Sequence, residues 1–88
     1  MARFEFSSSD QISGGANASG DILFQLGVMY ATGREVQMNL VEAHKWFNIA
    51  ATRGSEDAAR RRRELAVEMS PSEIALAQRQ AREWISLH

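Results

Sequence analysis

An all-α fold of about four helices behind a polar N-terminal arm is what this sequence predicts. Three observations predict it: there is only one Pro in 88 residues, the apolar residues recur at helical spacing, and the breaks between apolar segments carry helix-capping residues. The length suits one small domain. Its 44% hydrophobic content, with two Trp, four Phe and four Met, supplies material for a single core of modest stability.

Residues 1–20 are expected to form a flexible arm. From Ser7 to Gly20 the chain is mostly Ser, Gly, Asn and Ala with one Ile12, too little apolar surface to offset the entropy of ordering it. Phe4 and Phe6 are the aromatic side chains of the arm able to dock on the body as a short extended piece. Residues 21–88 form the predicted helical domain. Its first helix runs from Asp21 to about Thr32 and stops at Gly33. Ile22, Leu23, Phe24, Leu26, Met29 and Tyr30 leave only a narrow polar strip around Gln25 and Thr32, so this helix is expected to be covered on more than one side.

A second helix starts after Asn39, a capping residue with Glu42 at the capping-box position, and ends at Gly54. Stepping ~100° per residue puts Leu40, Ala43, Phe47, Ala50 and Ala51 on one side with Trp46 on its shoulder, and Lys45, Asn48 and Thr52 opposite. Ser55 opens a third helix, where Glu56 and Asp57 suit the positive end of the helix dipole. In it Arg62 falls within the apolar arc of Ala58, Ala59, Leu65, Ala66 and Met69. It is expected to be the least exposed of the four consecutive arginines, its stem on apolar surface and its head on a carboxylate or carbonyl. The fourth helix has the strongest local signal: Ser70-Pro71-Ser72-Glu73 supplies an N-cap, a Pro at the first helical position and a capping-box Glu. Ile74, Ala77, Ala81, Trp84 and Ile85 then mark its apolar face.

Leu26-Gly27-x-x-Tyr30, Gly33-Arg34, Val36, Ala43-x-x-Trp46-Phe47 and Ala50-Ala51-x-x-Gly54 together resemble one Sel-1-like repeat, a family related to tetratricopeptide repeats. The segment from Gly33 to Asn39, longer than a tetratricopeptide turn, favours the Sel-1-like form. The resemblance implies a helix-turn-helix repeat over 21–54 of the kind that stacks into an α/α superhelix, with Leu26, Gly27, Tyr30, Gly33, Ala43, Trp46, Phe47, Ala50, Ala51 and Gly54 in packing roles. Residues 55–88 would be a capping helix pair, because no second Leu-Gly-x-x-Tyr follows Ala58. Glu35 stands where the family has a second loop glycine, Gln37 where it has Pro, and Asn39 where it has Asp.

Ten Lys and Arg against eleven Asp and Glu give a formal charge of −1, so no global field draws this chain to nucleic acid. Arg60 to Arg63 point in four directions on a helix, and the pairs Glu56 with Arg60 and Asp57 with Arg61 are expected to neutralise them. The absence of Cys removes disulfides, thiolate catalysis and the usual structural zinc sites. His44 has no companion ligands at metal spacing and reads as a structural or surface histidine. Ser7-Ser8-Ser9 reads as a polar tract. No phosphate loop, carboxylate pair or Ser-His arrangement can be assembled, so neither catalysis, a cofactor nor a small-molecule substrate is expected. The first residues lack a signal-peptide apolar run and no stretch approaches the ~20 apolar residues of a membrane span, which points to a soluble cytoplasmic protein.

What the resemblance implies is a non-catalytic adaptor or regulatory module that binds a protein partner or a second copy of itself. Ile22 and Met29, sharing one direction on the first helix outside the packing positions, are the predicted contact strip, the alternative being that the N-terminal arm folds back over it. The competing reading is a polyanion or RNA binder using Arg60 to Arg63 with Arg79 and Arg82.

Overall fold

Four side-chain oxygens set the four helix starts. Ser19 Oγ accepts from the Ile22 N–H at 3.2 Å, Asn39 Oδ1 from Glu42 at 3.0 Å, Ser55 Oγ from Ala58 at 3.1 Å and Ser70 Oγ from Glu73 at 3.1 Å. The computed structural model describes residues 19–88, and over that span it consists of α1 (Gly20–Thr32), α2 (Leu40–Thr52), α3 (Glu56–Ala66) and α4 (Pro71–Leu87), with no strand among the described residues. Phe4, Phe6, Ile12 and the tract Ser7-Ser8-Ser9 lie outside those residues.

Two details differ from the sequence expectation. Helix α1 starts at Gly20 rather than Asp21, because Ser19 caps it and Gly20 is already buried within it. The capping box is closed only at α4, where the Ser70 N–H donates to Glu73 Oε1 at 2.8 Å. At α2 the Glu42 carboxylate turns instead to Trp46 Nε1 and Lys45 Nζ, each at 3.0 Å, and the Asn39 N–H donates to the Tyr30 carbonyl at 3.0 Å. That last bond ties the α1–α2 connection back onto α1.

The same connection uses two left-handed residues. Gly33 has φ 74° and donates its N–H to Met29 O at 2.8 Å, and Glu35 has φ 68°. A side-chain-bearing residue there is strained by roughly 1–2 kcal/mol. Glu35 thus holds a left-handed backbone conformation that glycine adopts without that strain.

Packing centres on α2. It meets α1, α3 and α4 extensively, while those three touch one another little, so α3 and α4 are joined through α2 rather than face to face. Toward α1 the closest approach is at Gly27, where an added Cβ would lie 2.5 Å from a ring carbon of the fully buried Phe47. Phe24 sits against the same ring with centroids 5.6 Å apart. Toward α4, Trp46 meets Trp84 edge-on at 5.6 Å, and Ala77 and Ala81 are wholly buried. Toward α3, Ala58 is buried and Arg62 reaches Asn48.

Being surrounded on three sides gives α2 a burial pattern unlike the single face expected. Ala43, Phe47 and Ala50 are buried as predicted, but Ile49, on the side of Lys45 and Asn48, has no exposure at all. Lys45 and Asn48 are half-buried for the same reason. Conversely α1, expected to be covered on more than one side, has α2 as its one extensive helix neighbour.

Candidate interaction surface

Side chains of α1 follow from that single contact. Leu23 and Gly27 face α2 and are buried, whereas Phe24, Leu26, Val28, Met29, Tyr30 and Ala31 stay half-buried. Ile22 is 51% exposed, and by helical spacing it shares with Met29 the flank turned away from α2. The predicted contact strip thus has one exposed and one half-buried member. Leu26 and Tyr30 are half-buried, Ala43, Phe47 and Ala50 are buried, Trp46 and Ala51 are half-buried, and Gly54 is exposed. Of the repeat-like positions Gly27 and Phe47 meet between α1 and α2, whereas Trp46 faces Trp84 of α4 and Gly54 lies between α2 and α3.

The other flank of α1 borders a concavity of about 300 Å³ that exists because α1 and α3 both lean on α2 without filling the space between them. Its lining is mixed, with apolar Ala31, Met38, Leu40, Phe47 and Leu65 beside polar Thr32, Arg61, Glu64 and Glu68. Met38 is 59% exposed at its edge. No sequence signal marked this hollow, since it arises between helices that are distant in sequence and Met38 lies in a loop.

The four arginines separate as helix geometry requires, but with other partners than expected. Arg60 pairs with Asp57 at 3.0 Å and approaches Glu64 at 3.9 Å, and Arg61 approaches Glu64 at 3.8 Å. The i, i+4 pairs with Glu56 and Asp57 give way because Glu64, one turn further on, lies within reach of both cations. Arg61 also lies over the Phe24 and Phe47 rings, its guanidinium carbon 6.0 and 5.7 Å from the centroids. Arg62 donates from Nη1 to the Asn48 side-chain oxygen at 2.6 Å, a carbonyl partner of the predicted type. Arg61 and Arg62 are both half-buried, and Arg60 and Arg63 exposed. The run presents no continuous basic stripe.

Of the two expectations for His44, structural or surface, the structure gives the first: it is 2% exposed, because α2 is enclosed on three sides. Its Nδ1 is buried with no hydrogen-bond partner. Desolvation, and secondarily the Arg62 charge, hold the imidazole pKa below its ordinary value of 6.5. Its neutral form is therefore the one the fold accommodates. At the end of α4, His88 stacks on Trp84 with centroids 4.1 Å apart, and Arg53 lies over the same indole at 5.5 Å.

Among the described residues no three His, Cys, Asp or Glu side chains gather as a metal site, and no helix is long and apolar enough to cross a membrane. Comparison with protein-family models, curated proteins and solved structures gives no match.

Proposed function

We propose that this chain is a non-catalytic interaction module, a single Sel-1-like helical hairpin over 21–54 extended by two helices, that presents α1 to a protein partner or a second copy of itself. The observation that carries this reading is the exposure of α1. Among the described residues the most continuously apolar helix has one extensive helix neighbour, which leaves Ile22 half in water and a hollow of mixed polar and apolar lining on the opposite flank. The repeat assignment is supported by the close approach at Gly27 and by the left-handed conformation of Gly33 and Glu35, the two positions where that family has loop glycines. A folded body this small also gains stability from any partner that binds only its native state.

The test compares the intact chain with Ile22→Glu/Met29→Glu and, separately, with Met38→Glu at the hollow. Circular dichroism checks folding, sedimentation reads self-association and affinity capture from the native cell reads partner binding. Loss of association in the double variant with an unchanged helical spectrum supports the outer strip. Loss only in Met38→Glu moves the contact to the hollow. Association that survives both sinks the assignment of α1 as the binding element, and the junction of α2 with α4 becomes the next surface to test.

A further inference from the structure

Among the described residues His44 is the buried polar residue of the core, and its Nδ1 has no protein hydrogen-bond partner, an arrangement that is uncommon in native interiors. Its surroundings make that arrangement informative. One turn further along α2, Asn48 accepts from the Arg62 guanidinium at 2.6 Å, so the α2–α3 junction holds a cation one helical turn from His44 on the same side of α2.

The charges that could offset a second cation there are committed elsewhere or face water. On α2 itself Glu42 is bound to Trp46 and Lys45. On α1 the one charged residue is Asp21, which is exposed. On α4 Glu73, Arg79, Arg82 and Glu83 are all exposed. On α3 Glu56, Asp57, Arg60, Arg63 and Glu64 are exposed, as is Glu68 just beyond it, and Arg61 lies over the phenyl rings. Arg62 is the charge that acts on His44, and it repels a proton. The helix that carries Arg62 also buries fewer residues than its neighbours: α3 buries Ala58 alone, whereas α1 buries Gly20, Leu23 and Gly27 and α4 buries Ala77 and Ala81.

We propose that His44 and Arg62 form an acid-sensitive latch, in which protonation of the buried imidazole by a solvent proton releases α3 from α2. The proton enters at a ring nitrogen and no other bond changes. A buried imidazolium near a guanidinium has no counter-charge, and the least costly escape is for α3 to leave and admit water. The direction follows from linkage. The folded chain binds this proton less readily than the unfolded chain, so stability is full above about pH 6.5, the unfolded value, and is lost as the pH falls from there toward the depressed folded value. The α3 side of the hollow would go with it; this consequence rests on the proposed interaction role, while the latch itself does not.

The experiment is amide exchange on the intact chain at about pH 7.5 and about pH 5, either side of an ordinary imidazole pKa, read as protection factors so that intrinsic exchange cancels. The expected result is loss of protection across Ala58–Ala66 with Leu23–Tyr30 retaining theirs. The loss should disappear in His44→Leu and in His44→Gln, neither of which can charge, and shrink in Arg62→Gln. A uniform acid loss over all four helices overturns the latch, as does an unchanged α3 loss in either His44 variant that folds. Independently of any variant, an imidazole that titrates at or above pH 6.5 in the folded wild-type chain overturns it too. Partner binding does not enter any of these readouts, so failure of the latch and failure of the interaction role remain separable.

Discussion

Helices α1 and α2 are each 13 residues long, and they are buried in the opposite order to their apolar content. α1 is apolar around most of its circumference yet keeps six half-buried apolar residues and an exposed Ile22. α2 carries Glu42, His44, Lys45 and Asn48 and still has five buried positions, Ile49 and His44 among them. The difference lies in the neighbours. Small residues let helices close in on α2: Gly27 from α1, Ala58 from α3, Ala77 and Ala81 from α4, with Ala43 and Ala50 on α2 itself. Bulky side chains on the outer flank of α1 meet no such partner. Two polar residues of α2 are paired within the protein, Glu42 with Trp46 of the same helix and Asn48 with Arg62 of α3, while His44 Nδ1 has no such partner.

The widest gap between the two helices should appear at their isoleucines. Ile49→Ala removes a side chain with no exposure and is expected to cost about 2–5 kcal/mol, close to the whole stability of a domain this size. Ile22→Ala should change the melt by less than about 0.5 kcal/mol, as for other exposed positions. Equal effects measured by thermal or urea unfolding would remove the contrast.

Next in size is the contact that joins the two helices. Gly27→Ala would drive a methyl into the Phe47 ring and should lower stability by about 1–3 kcal/mol. A neutral result in urea titration would mean that α1 and α2 can separate slightly at no cost.

The helix boundary sharpens the comparison at a smaller scale. Removing residues 1–20 deletes the Ser19 cap and should destabilise by about 1 kcal/mol more than removing 1–18. Identical melts for the two truncations would put the start of α1 at Asp21 after all. Similar in size is the contrast between Arg62→Ala, expected to cost about 1 kcal/mol because Asn48 loses its partner, and Arg63→Ala, expected to be nearly silent.

The smallest effect has the opposite sign. Glu35→Gly should raise the unfolding free energy by about 0.5–1 kcal/mol, since relief of the left-handed strain exceeds the added entropy of a glycine in the unfolded chain. A fall in stability would show that the Glu35 side chain contributes an interaction beyond its backbone.

Helix existence and helix ends were legible in this sequence because they depend on chemistry within a few residues. Ser55, Ser70 and Asn39 cap where their side chains reach an N–H three positions on, and Gly33 turns left-handed where a side chain would clash. The closure of the box at Ser70 was legible for the same reason. Its failure at Asn39 was not, because the Tyr30 carbonyl that takes the Asn39 N–H comes from another helix.

Local spacing also determined which residues of a helix share a direction, as for Ile22 and Met29, but it did not separate Arg62 from Arg61, which are both half-buried. It could not determine how many helices would arrive at each direction. Tertiary structure alone decided that α2 is enclosed on three sides, that His44 and Ile49 are buried, and that a hollow opens between α1 and α3. The physical reason is that burial belongs to pairs of surfaces: periodicity states which face a helix can offer, and only the approach of a second helix, limited by the size of the side chains between them, decides whether that face is covered.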